Sequence, residues 1–328
     1  MVVVKNIKSS NEILTFEIDN KSSEYKLSLC NGIRRIILSE IELFCLDENK
    51  TIFEENNSIL NNEFLKHRLS LIPFICDKNY DYEKLVVRCV VKNESENIKS
   101  IYASDFEIYD ESTDTKLNIK NYIKYPNILF AKLQNNQYFS FEARFSKGKS
   151  IENGAQYCPV SGCVVTFKKD ENKIKEITDG FSESDKKSFN LLENQRIYKK
   201  NKSGEPEIFE FQIESIGFYE PKTIVKKAIE ILKKKINNLK ENFEEIEFIN
   251  DFYQIRIYES NDTIGNLISS YIQDIKDVTY SGYLIEHPLK NEVLLKFKTT
   301  LNKKSFIDNI NSKIKEINGL LDKLKKDF

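Results

Sequence analysis

The chain has 328 residues, of which 40% are hydrophobic and 31% are charged, a composition typical of a globular protein with two or three domains. Fifty basic residues are balanced by 51 acidic residues, so net charge gives no reason to expect that the chain wraps nucleic acid. No segment approaches the roughly 18 apolar residues of a membrane-spanning helix, and residues 1–5 lack the apolar core of a secretory signal, which predicts no membrane partner.

Hydrophobic periodicity predicts a strand, a helix and further strands near the N-terminus. Residues 12–19 alternate between apolar and polar side chains, which is typical of a strand. Residues 24–39 place their apolar side chains on one face of a helix. Residues 41–54 read as strands again, and an asparagine at 61–62 is a candidate cap for a short helix that ends before Pro73.

The middle of the chain is predicted to be mainly β-structure, followed by a long helix. Residues 84–170 contain several strand-like runs, whereas residues 171–205 are charged and weakly patterned, which predicts a loop-rich segment. A long helix is predicted to begin at Pro221, because proline suits the first helical turn. Its apolar residues recur at alternating spacings of four and three, which is typical of a packing seam: Val225, Ile229, Leu232, Ile236, Leu239 and Phe243.

The C-terminal part repeats this organisation. Strands are predicted around residues 246–259, a helix at 263–275, and two more strands at 278–286 and 292–299. The last helix carries a second seam of the same spacing: Ile307, Ile310, Ile314, Ile317, Leu321 and Leu324. The chain therefore contains two similar modules, and their matching seams favour packing of one module against the other.

The six cysteines predict neither a metal site nor a disulfide framework. Four of them lie in apolar segments such as 43–46 and 71–76, which is typical of buried free thiols in a reducing compartment. No Cys-x-x-Cys pair is present, and the closest two cysteines, Cys158 and Cys163, have no histidine nearby to complete a zinc tetrahedron. We therefore expect no metal and no cofactor.

Four motifs resemble one known family. Residues 31–40 (Asn-Gly-Ile-Arg-Arg-Ile-Ile-Leu-Ser-Glu) and 58–73 (Ser-Ile-Leu-Asn-Asn-Glu-Phe-Leu-Lys-His-Arg-Leu-Ser-Leu-Ile-Pro) resemble the alpha-like assembly subunits of multisubunit RNA polymerases. That group contains the bacterial alpha N-terminal domain, the archaeal protein called D and the third subunit of the eukaryotic enzymes. Residues 261–267 (Asn-Asp-Thr-Ile-Gly-Asn-Leu) and 282–289 (Gly-Tyr-Leu-Ile-Glu-His-Pro-Leu) resemble their small partner, the archaeal protein called L or the eleventh eukaryotic subunit.

The resemblance extends further but is not complete. Residues 147–160 and 211–217 are similar to two further segments of the alpha-like family. The histidine that the family has in the first of these is absent here, and Gly32 occupies a position where the family usually has alanine. Asn-Asp at 261–262 replaces Asp-His, and Asp262 is expected to cap the helix that follows. A role that the family ties to the histidine of the 147–160 segment is therefore not carried over to this chain.

The resemblance implies an α+β fold in which the two alpha-like dimerisation modules pack as an intrachain pseudo-heterodimer. The D-like module is expected at 1–46 with 206–245, a β-rich insert domain at 47–205, and the L-like module at 246–328. Residues of both modules are expected at the contact between them: Val225, Ile229, Leu232, Ile236, Leu239, Asn266, Leu267, Ile310, Ile314, Ile317 and Leu321.

The resemblance also implies function. The protein is expected to be a noncatalytic assembly platform of a DNA-directed RNA polymerase that docks the two largest subunits and a small subunit equivalent to the tenth, and to meet DNA only through the complex. The expected partner-binding residues are Arg34, Arg35, Glu63, His67 and Arg68, with at least one of the two adjacent arginines turned to solvent. By periodicity alone, that arginine pair is typical of a solvated surface.

Two other classes of function are compatible with parts of the sequence. The seams also suit a coiled-coil structural adaptor unrelated to transcription. A hydrolase with Cys158 as nucleophile and His67 or His287 as base is disfavoured, because each histidine belongs to another motif.

Abundant Asn, Lys and Ile indicate an AT-rich genome, and fused subunits are similar to those of large DNA viruses. The expected location is intracellular: the host cytoplasm or a virion if viral, otherwise nucleus or cytoplasm.

Overall fold

The computed structural model describes residues 3–76, 80–239, 246–249 and 252–328. The chain folds into two compact units. Unit 1 comprises three segments, Met1–Ile37, Cys163–Ile213 and Val225–Phe328, and unit 2 comprises Leu38–Gly162 and Glu214–Ile224.

Strands and helices both make up large parts of the described chain. The strands are β1 Val4–Ser9, β2 Ile13–Asp19, β3 Leu43–Asn56, β4 Leu85–Lys92, β5 Lys99–Tyr102, β6 Glu107–Asp110, β7 Thr115–Leu117, β8 Leu129–Leu133, β9 Tyr138–Gly148, β10 Val160–Phe167, β11 Ile208–Ser215, β12 Glu247–Ile249, β13 Phe252–Tyr258, β14 Val278–Leu284 and β15 Glu292–Thr299. The α-helices are α1 Leu27–Ser39, α2 Asn62–Ser70, α3 Ser150–Asn153, α4 Glu171–Thr178, α5 Glu183–Leu192, α6 Pro221–Asn238, α7 Asp262–Ile272 and α8 Lys303–Lys326.

Within the described residues, unit 1 contains two four-stranded sheets, the helices α1, α6, α7 and α8, and the shorter helices α4 and α5. The first sheet has the strand order β1-β2-β11-β10, and the second has the order β12-β13-β15-β14 with antiparallel pairing throughout. In β2 the apolar residues Leu14, Phe16 and Ile18 are buried at alternate positions, as one buried sheet face requires. Helix α7 packs against β14 and β15. Helices α1, α6 and α8 each bury a stripe of apolar residues.

Unit 2 is built on a five-stranded antiparallel sheet with the order β3-β9-β4-β6-β7, accompanied by the two-stranded sheet β5-β8. Helix α2 packs on β3 and β8 and contributes Leu65 and Leu69 to the core. That core is rich in phenylalanine: Phe74, Phe106, Phe130, Phe139, Phe141 and Phe145. Several of these rings meet edge to face, a favourable geometry for aromatic pairs.

The predicted elements agree with the structure wherever the periodicity is long. The helix predicted to begin at Pro221 does begin there, and the capping asparagine of α2 is Asn61, whose side-chain oxygen accepts from the N–H of Phe64 at 2.9 Å. The predicted seam residue Phe243 lies outside the described residues. Ile307, assigned to the second seam, is only half-buried, and the neighbouring Phe306 is buried instead.

Two predictions about local structure were wrong. Residues 171–205 contain the helices α4 and α5 rather than mainly loop, and Asp170 and Ser182 cap them. The apolar periodicity of this segment is weak because α4 buries only Ile174 and α5 buries no residue. At the start of α7, the side chain that accepts the N–H of Thr263 is that of Asn261, at 3.1 Å, and not that of Asp262.

The predicted domain limits and the compact units do not coincide. The insert was expected at 47–205, whereas unit 2 begins at Leu38 and its first segment ends at Gly162. Residues 163–205 of the expected insert therefore belong to unit 1. Both expected dimerisation modules fall mainly in unit 1, and their limits stay a prediction.

Candidate functional site

The candidate site in unit 1 is the contact between the segments expected to form the two modules. Nearly all the residues expected there are buried: Val225, Ile229, Leu232, Ile236, Leu239, Leu267, Ile310, Ile314, Ile317 and Leu321. Asn266 is the exception, since its side chain is exposed on α7 and is not part of the buried seam. Complete burial of a leucine or isoleucine side chain contributes about 1.5–3 kcal/mol, so the apolar seams dominate the energetics of this region.

Polar contacts between α6 and α8 flank the seams. They are an ion pair from Lys233 Nζ to Asp322 Oδ1 at 2.6 Å, an ion pair from Lys325 Nζ to Glu230 Oε1 at 2.6 Å, and a hydrogen bond from Asn318 Nδ2 to Asn237 Oδ1 at 2.8 Å. The ion-pair side chains are substantially exposed, so each pair contributes at most about 1 kcal/mol. These contacts therefore define how α6 and α8 align along each other but add little to the free energy of folding.

A second group of contacts joins the start of α1 to the end of α7. Lys26 Nζ donates to the carbonyl oxygen of Ser270 at 2.6 Å and pairs with Asp274 Oδ2 at 2.7 Å. The buried Tyr271 ring lies beneath the same ammonium group, and its hydroxyl donates to the carbonyl oxygen of Glu24 at 3.1 Å. The N-terminal helix and the helix of the Thr-Ile-Gly-Asn motif are therefore held together by buried and half-buried polar groups.

The two residues that follow α8 contact the first sheet and the residue before it. Asp327 Oδ2 accepts hydrogen bonds from the backbone N–H groups of Val3 and Val4, at 3.1 and 3.0 Å. The Phe328 ring packs edge to face on Phe16, with ring centroids 4.7 Å apart. Segments at opposite ends of the sequence thus share one structural unit.

Two helical glycines lie at close approaches within unit 1. A Cβ atom on Gly32 of α1 would lie 3.6 Å from Thr263 Cγ2 and 3.9 Å from Leu232 Cδ2, which are ordinary van der Waals distances. A Cβ atom on Gly265 of α7 would lie only 2.7 Å from the Tyr283 ring and 2.8 Å from Val293 Cγ1. The second glycine is required by packing of α7 on its sheet, and the first is not.

The adjacent arginines of α1 are half-buried, although the sequence predicts at least one exposed side chain. Arg34 Nε donates to Asn31 Oδ1 at 2.9 Å, one turn earlier on the helix. Burial raises the pKa of the Tyr283 phenol, the Asp262 carboxylate raises it further, and the Arg35 guanidinium lowers it. Arg35 therefore lies in the electrostatic surroundings of Tyr283, at the edge of the second sheet.

Unit 2 carries the other predicted partner-binding residues, on α2. Glu63 is exposed in the first turn, where a carboxylate interacts favourably with the helix dipole. His67 is also exposed, and its Nδ1 lies 3.0 Å from Glu48 Oε1. Glu48 accepts a hydrogen bond from Ser70 as well, at 3.1 Å.

Arg68 is engaged within unit 2. Its Nε donates to the carbonyl oxygen of Phe130 at 2.9 Å, and its Nη2 donates to that of Leu129 at 2.7 Å. The guanidinium group therefore links α2 to β8. This contact gives Arg68 a structural role that requires no partner protein. Sequence periodicity cannot reveal this contact, because 61 residues separate Arg68 from Leu129.

Three large apolar side chains near α2 are exposed, although the sequence pattern did not predict them as surface residues. Ile59, Phe64 and Leu71 are 69%, 53% and 49% exposed, respectively. Each lies in or beside the motif of residues 58–73, and Phe64 stands off the helix face that buries Leu65. In the sequence, the only sign of this exposure is that Phe64 occupies a position of the helical pattern where a polar residue is expected. Exposed apolar side chains beside Glu63 and His67 are typical of a protein interaction surface.

The residues invoked for a hydrolase each contact other groups. The Cys158 thiol donates to the carbonyl oxygen of Val160 at 3.2 Å, and burial raises its pKa. His287 Nδ1 accepts the N–H of Leu289 at 3.2 Å, as expected for a turn histidine. Among the described residues, no group of three or more His, Cys, Asp and Glu side chains is placed to hold a metal ion. No helix within the described ranges has the length and apolarity needed to cross a membrane.

Comparison with known proteins identifies related sequences for two successive parts of the chain. A family profile described as the RNA polymerase Rpb3/Rpb11 dimerisation domain matches residues 21–236, and a second profile with the same description matches residues 253–327. The RNA polymerase II subunit rpb3 of Dictyostelium discoideum is 26% identical over 294 residues, covering 72% of this chain and 96% of the relative.

Two further relatives come from a yeast and an archaeon. The RNA polymerase II subunit RPB3 of Schizosaccharomyces pombe is 27% identical over 273 residues, covering 74% of this chain and 87% of the relative. The RNA polymerase subunit Rpo3 of Pyrobaculum islandicum is 25% identical over 232 residues, covering 64% and 85%. Since the first profile spans more than half of the chain and the second follows it, the protein belongs to the RNA polymerase Rpb3/Rpb11 dimerisation domain family.

Proposed function

We propose that this protein is a noncatalytic assembly subunit of a multisubunit DNA-directed RNA polymerase, in which one chain performs the work of a dimerising subunit pair. The observation that carries the proposal is the presence of two dimerisation-domain matches on the same polypeptide, at residues 21–236 and 253–327. The relatives are named as single subunits of such polymerases. A fused pair makes pairing an intrachain event, which raises the effective concentration of each module for the other.

The contacts within unit 1 support the pseudo-heterodimer. The seam helix α6 belongs to the first match and α8 to the second, and both bury their seams within the same compact unit. The polar contacts of Lys26 with Ser270 and Asp274 also join segments from the two matches. A coiled-coil adaptor is less well supported, because its seams would have to remain available for another chain.

The docking surfaces for the two largest polymerase subunits are part of the same proposal. We assign one surface to Arg34 and Arg35 on α1, where guanidinium groups suit carboxylates and backbone carbonyls. A second surface combines Glu63 and His67 with the exposed apolar side chains around α2. Arg68 is better explained as a structural residue of unit 2. A small subunit equivalent to the tenth is a further expected partner.

The source and location also belong to the proposal. The fused organisation and the abundance of Asn, Lys and Ile favour a large DNA virus. In that case the protein acts in the cytoplasm of a host cell or in a virion. Contact with DNA is expected only through the assembled enzyme, since acidic and basic residues are nearly equal in number.

Purification of the native complex through a tag on this chain tests the proposed function. We expect two very large subunits to co-purify in stoichiometric amounts and the complex to show DNA-dependent RNA synthesis. The double variant Arg34→Ala with Arg35→Ala should fold with nearly the same melting temperature and should recover one large subunit at least about 30-fold more weakly, as expected of an interface hot spot worth about 2 kcal/mol. Recovery of no large polymerase subunit by the wild-type chain would refute the function itself.

A further inference from the structure

Strand β14 forms one edge of the second sheet in unit 1. It pairs with β15 on one side, from Val278 opposite Thr299 to Leu284 opposite Leu294. On its other side no strand of the described chain pairs with it. The N–H of Val278, at the start of the strand, donates to the carbonyl oxygen of Ile275 at 3.1 Å, and no other described main-chain group outside β15 bonds to the backbone of residues 279–284. The outward-pointing N–H and C=O groups of these residues are therefore available to an extended chain.

This edge lacks the usual protection against strand addition. Proteins commonly shield a sheet edge with charged residues, proline, pronounced bulges or a very short strand. The seven residues of β14, Val-Thr-Tyr-Ser-Gly-Tyr-Leu, contain no charge and no proline, and the register shifts only near Val278. The opposite edge of the same sheet is protected, because β12 is three residues long and begins with Glu247.

The sheet face beside this edge is apolar and basic. Tyr280 and Leu284 are 50% and 47% exposed on the outward face of β14. On the neighbouring strand, Lys298 and Lys296 lie opposite Tyr280 and Gly282. Neither lysine forms an ion pair with a described residue, although Lys298 lies over the Phe252 ring.

The carboxylates nearest to these lysines along the sheet already have partners. Glu286 pairs with Arg256, and Glu292 pairs with both Arg256 and Lys290. Lys296 also acts electrostatically on Glu286. The four cations Arg256, Lys290, Lys296 and Lys298 nevertheless outnumber these two carboxylates, so this face of the sheet keeps a net positive charge. Strands lie about 4.8 Å apart, so Lys296 and Lys298 would stand about two strand spacings from a chain added to β14, within reach of its long acidic side chains.

The other face of the edge lies near Arg35 of α1. Tyr283 alternates with the outward side chains and faces α7, where its ring lies against Gly265. Arg35 and Asp262 both influence the Tyr283 hydroxyl, which places the arginine near this edge. An added strand would thus meet the net positive charge of Lys296 and Lys298 on one face and Arg35 towards the other.

We propose that β14 is the docking edge for an extended, acidic segment of another polymerase subunit, which joins the second sheet as a fifth strand. Main-chain hydrogen bonds would supply affinity, and alternate side chains would supply specificity, apolar beside Tyr280 and Leu284 and acidic towards the lysines. The inference rests on the proposed function, because it requires a polymerase partner. A second copy of this chain fits less well, since self-pairing of β14 would bring no carboxylate to the four lysines of the two copies.

Hydrogen exchange in the isolated chain and in the tagged native complex tests this proposal. We expect alternate amides of β14 to exchange at least about tenfold more slowly in the complex, while amides of the inner strand β13 change little. Unchanged exchange of β14 in a complex that does contain the large subunits would overturn the inference and leave the proposed function standing. Absence of polymerase subunits from the purified material would overturn both.

Matched variants separate strand addition from a general surface effect. Tyr280→Glu and Tyr258→Glu change similarly exposed tyrosines, at 50% and 55%, but only the first lies on the edge strand. With melting temperatures unchanged, Tyr280→Glu should lower recovery of a large subunit at least fivefold, because its carboxylate would repel the acidic segment, and Tyr258→Glu should not. Lys298→Glu should act like Tyr280→Glu. Equal behaviour of the two tyrosine variants, or concentration-dependent dimers that Tyr280→Glu abolishes, would overturn the acidic-segment proposal.

Discussion

Single residues in this chain differ in whether the sequence reveals what they do. The Asn61 cap was predictable, because the side-chain oxygen of an asparagine just before a helix commonly accepts a hydrogen bond from a backbone N–H of the first turn. The bonds of Arg68 to β8 were not predictable, because they depend on the tertiary position of a distant strand. The sequence does not show why residue 265 is a glycine. The structure does, because a Cβ atom there would overlap the Tyr283 ring.

The two helical glycines give a matched test at this scale. Gly32→Ala should stabilise the chain by about 0.5–1 kcal/mol, because alanine favours the helix and its methyl group makes ordinary contacts. Gly265→Ala should destabilise it by about 1–3 kcal/mol, because the methyl group would overlap Tyr283 and Val293. Urea unfolding of both variants measures the difference. The same sign for both would show that the packing around α7 is wrongly described.

The buried thiols provide a pH prediction. Burial raises the pKa values of Cys30 and Cys45, and raises that of Cys89 to about 12. Unfolded thiols ionise near pH 8.5, whereas these remain protonated in the folded chain, so the unfolded state is favoured progressively above that pH. The free energy of unfolding should therefore be largest below about pH 8 and fall towards pH 10.

Thiol labelling offers a direct check on the same burial. At pH 8 an aromatic disulfide reagent should leave Cys30, Cys45 and Cys89 unmodified in the native protein and modify all six cysteines in urea. Stoichiometric labelling of these three cysteines without denaturant, or stability that rises from pH 8 to pH 10, would contradict the assignment.

At the scale of elements, long periodic helices were predictable and short exposed helices were not. The apolar positions of α6 and α8 repeat over several turns, and nearly all of them are buried. Helices α4 and α5 have 8 and 10 residues and bury almost no side chains. They therefore lack an apolar periodicity, and their capping residues are the main sequence feature that indicates a helix. The edge position of β14 was invisible in the sequence, because strand order depends on the tertiary fold.

The seams support a prediction about the helices that carry them. Leu232→Asp on α6 and Ile314→Asp on α8 should each destabilise the chain by about 4 kcal/mol or more, because each places an unpaired charge at a position that is at most 1% exposed. The neighbouring exposed positions provide controls: Lys234→Asp and Lys315→Asp should change stability by only about 0.5 kcal/mol. Near-native melting of both seam variants would mean that the helices do not pack as described.

At the scale of the whole molecule, the chain contains two dimerisation-domain matches, and unit 1 contains segments of both. Composition and periodicity predicted two similar modules, and the family was apparent from motifs of 7 to 16 residues. The distribution of the expected insert between unit 1 and unit 2 was not predictable, since no Pro-, Gly- or Ser-rich linker marks the boundary.

The central claim is that one polypeptide performs the role of a dimerising subunit pair, and co-expression of separate fragments tests it most directly. Fragments 1–245 and 246–328 should co-purify as a one-to-one complex, because buried seams and polar contacts, rather than the covalent connection, hold the modules together. Ile314→Asp in the shorter fragment should abolish the association, and Lys315→Asp should preserve it. Two folded, soluble fragments that do not bind each other would contradict the account.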